Sequence, residues 1–125
     1  MGERTPNVTD GNLGETLYAL ANTIHGRWDH DSSESYTALL LTSKEDKCLG
    51  KIVEEAGEVV MAAKDDDHDH IRYEMGDLLY HLLVVAERYG ITLDEFAAEL
   101  NNRMTEGERP HGAVRLHDEF VRRGK

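Results

Sequence analysis

At 125 residues the chain fits one domain, or one domain with tails, and can bury a modest core. Its formal net charge of −11 argues against a general nucleic-acid binder, which needs a basic stripe, yet leaves room for an anionic small substrate where a metal ion and a few local Lys or Arg reverse the field in one pocket. A lone cysteine, Cys48, allows no internal disulfide, no apolar run approaches the roughly 20 residues that cross a bilayer, and residues 1–7 lack a signal-peptide core, so a cytoplasmic protein without membrane or nucleic-acid partners is expected.

Residues 1–11 are polar and read as a disordered arm. From 12 to about 26, Leu13, Leu17, Leu20, Ala21 and Ile24 recur at helical spacing, with Asn12 as the cap and Glu15 three residues on. Arg27 and Trp28 close this helix, and residues 29–34 form a polar loop. Ser35-Tyr36-Thr37 leads into an apolar run, residues 38–41, whose Leu/Ala content favours helix over strand. Ser43 followed by Asp46 starts a long helix over 44–64 with Cys48, Ile52, Ala56, Val59, Val60 and Ala63 as its apolar stripe. The acidic run 65–70 reads as a solvated loop, and a helix over about 69–89 is expected to bury Met75, Leu78, Leu79, Leu82, Leu83 and Ala86. Gly90 suits a left-handed helix end. Thr92 and Glu95 form a capping box for a helix over 93–104, and residues 113–125 carry a marginal helical pattern.

Within this pattern, two acidic pairs at i, i+3 spacing stand on consecutive long helices: Glu55/Glu58 and Glu74/Asp77. Residues three apart share a helix face. Packed antiparallel, the two helices bring four carboxylates together, a cage suited to a hard divalent cation such as Mg²⁺. Acidic helix residues are usually just a solvated face, but both pairs flank apolar stripes and stand beside Gly57 and Gly76, helix-interior glycines that point to close packing or room for a ligand. Lys47 and Lys51 lie two turns and one turn upstream of Glu55 and suit phosphate oxygens, with pairing to Glu55 or solvation as the plainer role. Arg27 and Lys44 are weaker phosphate candidates. Ser35, Tyr36 and Thr37 suit base or ribose, or else form a turn and cap cluster. His81, one turn beyond Asp77, fits a supporting role better than ligation, because Mg²⁺ prefers oxygen.

Glu54-Glu55-x-x-Glu58 followed by Glu74-x-x-Asp77 resembles the signature of the all-α NTP pyrophosphohydrolase (MazG-like) superfamily. Ser35-Tyr36-Thr37, Asp46-Lys47, residues 77–83 (Asp-Leu-Leu-Tyr-His-Leu-Leu) and residues 90–96 are similar, within it, to phosphoribosyl-ATP pyrophosphohydrolases of histidine biosynthesis. The resemblance covers about 13–104; Ser43-Lys44-Glu45 where the family often has a glycine, Gly76 where it commonly has Ala, and the extension 105–125 depart from it. It implies Mg²⁺-dependent hydrolysis of 1-(5-phosphoribosyl)-ATP to 1-(5-phosphoribosyl)-AMP and pyrophosphate, with Glu55, Glu58, Glu74 and Asp77 as ligands and a second ion arriving with the triphosphate. Glu54 and Glu55 are the candidates to orient or deprotonate the attacking water.

The expected architecture is an all-α bundle of four or five helices: a catalytic domain over 12–104, an arm before it and an extension after it. Apolar residues on more than one side of the helix near 78–86 call for a second copy, so a homodimer is expected. Without a cysteine cluster for the zinc of the next pathway enzyme, a monofunctional protein is expected. The competing readings are a housekeeping (d)NTP pyrophosphohydrolase using the same carboxylates and a non-catalytic helical module that binds a metal or partner.

Overall fold

The computed structural model describes residues 8–110, in which the regular structure is entirely helical. Residues 8–12 of the N-terminal arm lack regular structure, whereas residues 1–7 and the helical pattern at 113–125 lie outside the described residues. The chain divides into two compact units, one ending at Gly90 and one beginning at Ile91.

In the first unit α1 (Leu13–His25) is capped by Asn12, whose side chain accepts from the Glu15 amide at 2.9 Å. Next, α2 (Tyr36–Thr42) is capped by Ser35, which accepts from the Ala38 amide at 3.1 Å, so the apolar run is helical as expected. The long helix α3 (Glu45–Lys64) begins differently from the expectation. Lys44, not Ser43, is its N-cap, no side chain caps it, and Glu45 and Asp46 in the first turn complement the helix dipole instead. The second long helix, α4 (His68–Arg88), also corrects the sequence reading. Its start reaches into the acidic run, where the Asp67 side chain accepts from the His70 amide at 3.2 Å. What looked like a solvated loop supplies a cap and a first turn.

The connection between α3 and α4 is so short that the two helices must run antiparallel, and their mutual packing is the main contact of the unit. Both α1 and α2 pack on α4. The core gathers Ile24, Ala38, Leu40, Leu41, Cys48, Ala62, Leu83, Val84 and Ala86. Along α3 the buried line is Cys48, Glu55 and Ala62, two turns apart each time. Val60 sits about 140° round the helix from that line and is 59% exposed, Ala63 is exposed, and on α4 Met75 is 57% exposed, so these three do not join the core as the stripes predict. The apolar surface of α3 and α4 is wider than the seam they share. No helix among the described residues is long and apolar enough to cross a membrane.

In the second unit, α5 (Leu93–Asn101) carries the expected capping box, with the Thr92 hydroxyl accepting from the Glu95 amide at 3.2 Å and the Glu95 carboxylate from the Thr92 amide at 2.9 Å. A short 3-10 turn, Glu106–Glu108, follows, and the Arg109 guanidinium ties it back by donating to the carbonyls of Asn101 and Met104. Gly90, which precedes this unit, has φ of 72°, the left-handed end expected for α4.

Candidate active site

The antiparallel pairing places Glu55 and Glu58 of α3 opposite Glu74 and Asp77 of α4, and all four line one cavity of about 590 Å³. Tyr36, Lys51, Glu54 and Tyr73 complete the lining. Glu55 and Glu74 are buried and the Asp77 side chain is 9% exposed, although carboxylates are ordinarily left in water. Glu55 stands in the middle of the α3 seam, deeper than the flank position its spacing suggested. Glu58 sits at the open side of the cavity.

Burying several acids together has a chemical signature. Asp77 is pushed up to about 6, first by burial and then by its hydrogen bond with the adjacent Glu55 carboxyl. Burial also pushes Glu55 up, but its bonds to Asp77 and Lys51 outweigh that and hold it below the usual carboxylate range. Asp77 thus keeps the proton the pair shares. Lys51 closes the charge balance: its Nζ lies 3.1 Å from both Glu54 and Glu55. Burial works against the ammonium, but those bonds prevail and raise its pKa. One polar atom is left over. Asp77 Oδ1 is buried and has no hydrogen-bond partner. His81 Nδ1 lies 3.5 Å from it but is engaged by the Asp77 carbonyl, and a buried acceptor without a hydrogen bond costs about 1–3 kcal/mol.

The donor set therefore fits a hard divalent ion: oxygens from two facing helices, a close carboxyl pair that shares a proton only below about pH 6, and a buried oxygen without a hydrogen-bond partner. A ring nitrogen of His81 also lies close, with Glu55, Asp77 and His81 each offering a donor atom within 4.8 Å of the others. Both nitrogens are already engaged. His81 Nδ1 is 2.8 Å from the Asp77 carbonyl, which only accepts, so the Nδ1 proton points there. Nε2 meets the Tyr36 hydroxyl at 3.2 Å.

Of the residues expected at the site, the cavity brings together Tyr36, Lys51, Glu54, Glu55, Glu58, Glu74 and Asp77. Arg27, Ser35, Thr37, Lys44 and Lys47 are not among those lining it. Ser35 serves as a helix cap, Thr37 hydrogen-bonds Tyr80 at 2.5 Å, Lys44 stands at the start of α3, and Lys47 is exposed. Two further residues were missed. Tyr73 lines the cavity, and His70 Nε2 lies 3.1 Å from Glu74 Oε1. Each stands four residues before an expected ligand, Asp77 and Glu74 respectively, and that spacing on one helix face is the signal that could have found them.

An all-helical chain that presents four facing carboxylates and a lysine in one cleft belongs to the class of helical proteins with a candidate acidic metal-binding cluster. A family model described as phosphoribosyl-ATP pyrophosphohydrolase matches residues 17–104. A phosphoribosyl-ATP pyrophosphatase of Neisseria gonorrhoeae is 44% identical over 87 residues, covering 70% of this chain and 81% of that protein. One from Nitrosomonas eutropha is 45% identical over the same length, 70% of this chain and 74% of the relative. A histidine biosynthesis bifunctional protein of Synechocystis is 41% identical over 102 residues, which span 82% of this chain and 45% of that longer protein. The chain belongs to the phosphoribosyl-ATP pyrophosphohydrolase family and is a hydrolase of histidine biosynthesis.

Proposed function

We propose that the chain hydrolyses 1-(5-phosphoribosyl)-ATP to 1-(5-phosphoribosyl)-AMP and pyrophosphate, the second step of histidine biosynthesis, with Mg²⁺ held by Glu55, Glu58, Glu74 and Asp77. The observation that carries this reading is the convergence of those four carboxylates with Lys51 in one cavity, where Asp77 Oδ1 has no partner. When bound, the ion neutralises polyphosphate charge and acidifies a water, and a second ion arrives with the triphosphate. The protein's own residues do the rest. Lys51 places a positive charge beside the carboxylates, where it meets phosphate oxygens of the substrate. Glu54, 60% exposed at its side chain and held by Lys51, takes the proton of the attacking water, with Glu55 beside it as the alternative base. The water oxygen bonds to one phosphorus of the α–β anhydride, the bridging P–O bond breaks, and pyrophosphate leaves. Tyr36 contacts base or ribose from the cavity wall, with Ser35 and Thr37 next to it. Arg27, Lys44 and Lys47 supply positive charge at longer range.

The working form we propose is a cytoplasmic homodimer. Val53, Val60 and Met61 on α3 and Met75 on α4 are each more than half exposed. A Cβ at Gly57 or Gly76 would meet nothing within 4 Å in the protomer, so the room these glycines make is on the outside. Sedimentation analysis should give twice the chain mass; a monomer at micromolar concentration contradicts it.

Pyrophosphate release from phosphoribosyl-ATP, measured beside a panel of (d)NTPs with and without Mg²⁺, tests the reaction. Preferential turnover of phosphoribosyl-ATP that depends on Mg²⁺ is expected, and preferential dNTP turnover would assign the same carboxylates to housekeeping hydrolysis.

A further inference from the structure

Two separated stretches of sequence meet as one device. Tyr36 and Thr37 open α2; Tyr80 and His81 are successive residues of α4. The Tyr36 hydroxyl pairs with His81 Nε2 at 3.2 Å, and Thr37 Oγ1 pairs with the Tyr80 hydroxyl at 2.5 Å, two parallel rungs between the helices. The rings back the rungs: His81 stands edge-on to Tyr36, with centroids 5.9 Å apart, and edge-on to Tyr80 at 5.0 Å. His81 is 1% exposed, and its other nitrogen is fixed on the Asp77 carbonyl, so the imidazole cannot turn without losing a buried bond. Of the four residues, only Tyr36 reaches the cavity. Tyr36 is 38% exposed, and without the rungs its ring would be free to swing into solvent.

We propose that this ladder is a positioning device: His81, helped by the Thr37–Tyr80 rung, sets the Tyr36 phenol as the nucleotide-contacting wall of the cavity. It deepens the proposed reaction and rests on the cavity being the substrate site. His81 also touches Asp77, at its carbonyl at 2.8 Å and its Oδ1 at 3.5 Å, and the test separates that contact from the route through Tyr36.

The test exploits the two ends of the imidazole. A glutamine amide reaches where Nε2 stands and can still bond the Tyr36 hydroxyl; an asparagine amide reaches only where Nδ1 stands and can keep the Asp77 carbonyl. We expect His81→Gln to stay within about threefold of the wild-type KM, while His81→Asn and Tyr36→Phe each raise KM about tenfold with little change in kcat, the worth of one positioned hydrogen bond. In a Tyr36→Phe background, the Gln and Asn variants should become equal. An asparagine variant with wild-type KM, a Gln–Asn difference that persists without the Tyr36 hydroxyl, or a Tyr36→Phe protein with wild-type KM overturns the proposal. Tyr36→Phe, at a half-buried ring, keeps the test alive if the His81 variants do not fold. If the wild-type protein fails to hydrolyse phosphoribosyl-ATP, the reaction reading falls by itself, and the same ranking is then read from dissociation constants for α,β-methylene-ATP with Mg²⁺. A wild-type protein that binds neither nucleotide overturns both.

Discussion

Two acidic residues of α4, ten positions apart, have opposite fates. Glu87 sits near the C-terminal end, and its Oε2 accepts from the Trp28 indole N–H and the His25 ring, each at 2.9 Å. Next to it Arg88 donates to the Leu40 carbonyl at 2.8 Å. The pin ties the end of α1 and the loop after it, and α2 itself, to α4. Asp77 is more buried than Glu87, yet its Oδ1 accepts nothing and its nearest acidic neighbour is another carboxyl. The C-terminal end of the helix is completed by the fold, whereas Asp77, in mid-helix, keeps a buried oxygen without a hydrogen-bond partner, and an arrangement that costs stability is what a functional site is expected to look like.

Neutralising the Glu55–Asp77 pair should have the largest effect. Asp77→Asn and Glu55→Gln should each lower kcat by about a hundredfold or more, because bound metal supplies charge neutralisation that no other group replaces; pyrophosphate release measures it. The same variants should leave the metal-free melting temperature unchanged or higher. Next in size, Lys51→Met should raise KM for the triphosphate about tenfold through loss of one charge-assisted contact, and initial rates over a substrate series check it.

A pH series comes third. Asp77 stays protonated in the fold up to about 6, against an ordinary value of 3.8. A raised pKa contributes stability that is fully present below the ordinary value and lost as pH rises through the folded one, so the metal-free protein should weaken between about pH 4 and 6. A cation must displace that proton, so the Mg²⁺ concentration at half-saturation should rise about tenfold from pH 7 to pH 5, as read by calorimetry. The smallest effect is at the pin. Glu87→Gln should cost about 1–2 kcal/mol in urea unfolding, with kcat held within about twofold.

The features legible from the sequence were local. Asn12, Thr92 and Gly90 do what their residue types do at helix ends. The i, i+3 spacing of both acidic pairs and the short link between α3 and α4 suffice to predict that four carboxylates face each other, and they line one cavity. What the pattern could not reach depends on the third dimension. An apolar stripe does not say which of its edges meets the neighbouring helix, so Val60, Ala63 and Met75 were placed inside and stand outside. The same ambiguity hid the depth of Glu55, which lies on the line of Cys48 and Ala62. The acidic run 65–70 reads as a solvated loop with a helix from about 69, and the Asp67 carboxylate, bonding one amide, starts that helix at His68. The rungs from Tyr36 to His81 and from Thr37 to Tyr80 join residues more than forty apart, beyond any local rule.

The Glu55–Asp77 pair is proposed to hold a cation that the fold itself does not replace. Thermal melts of the wild-type protein and Asp77→Asn, with and without Mg²⁺ at pH 7.5, test it most directly. We predict that Mg²⁺ raises the melting temperature of the wild type and leaves that of Asp77→Asn unmoved. An Asp77→Asn protein stabilised by Mg²⁺ as much as the wild type, or a wild type indifferent to it, would contradict the account.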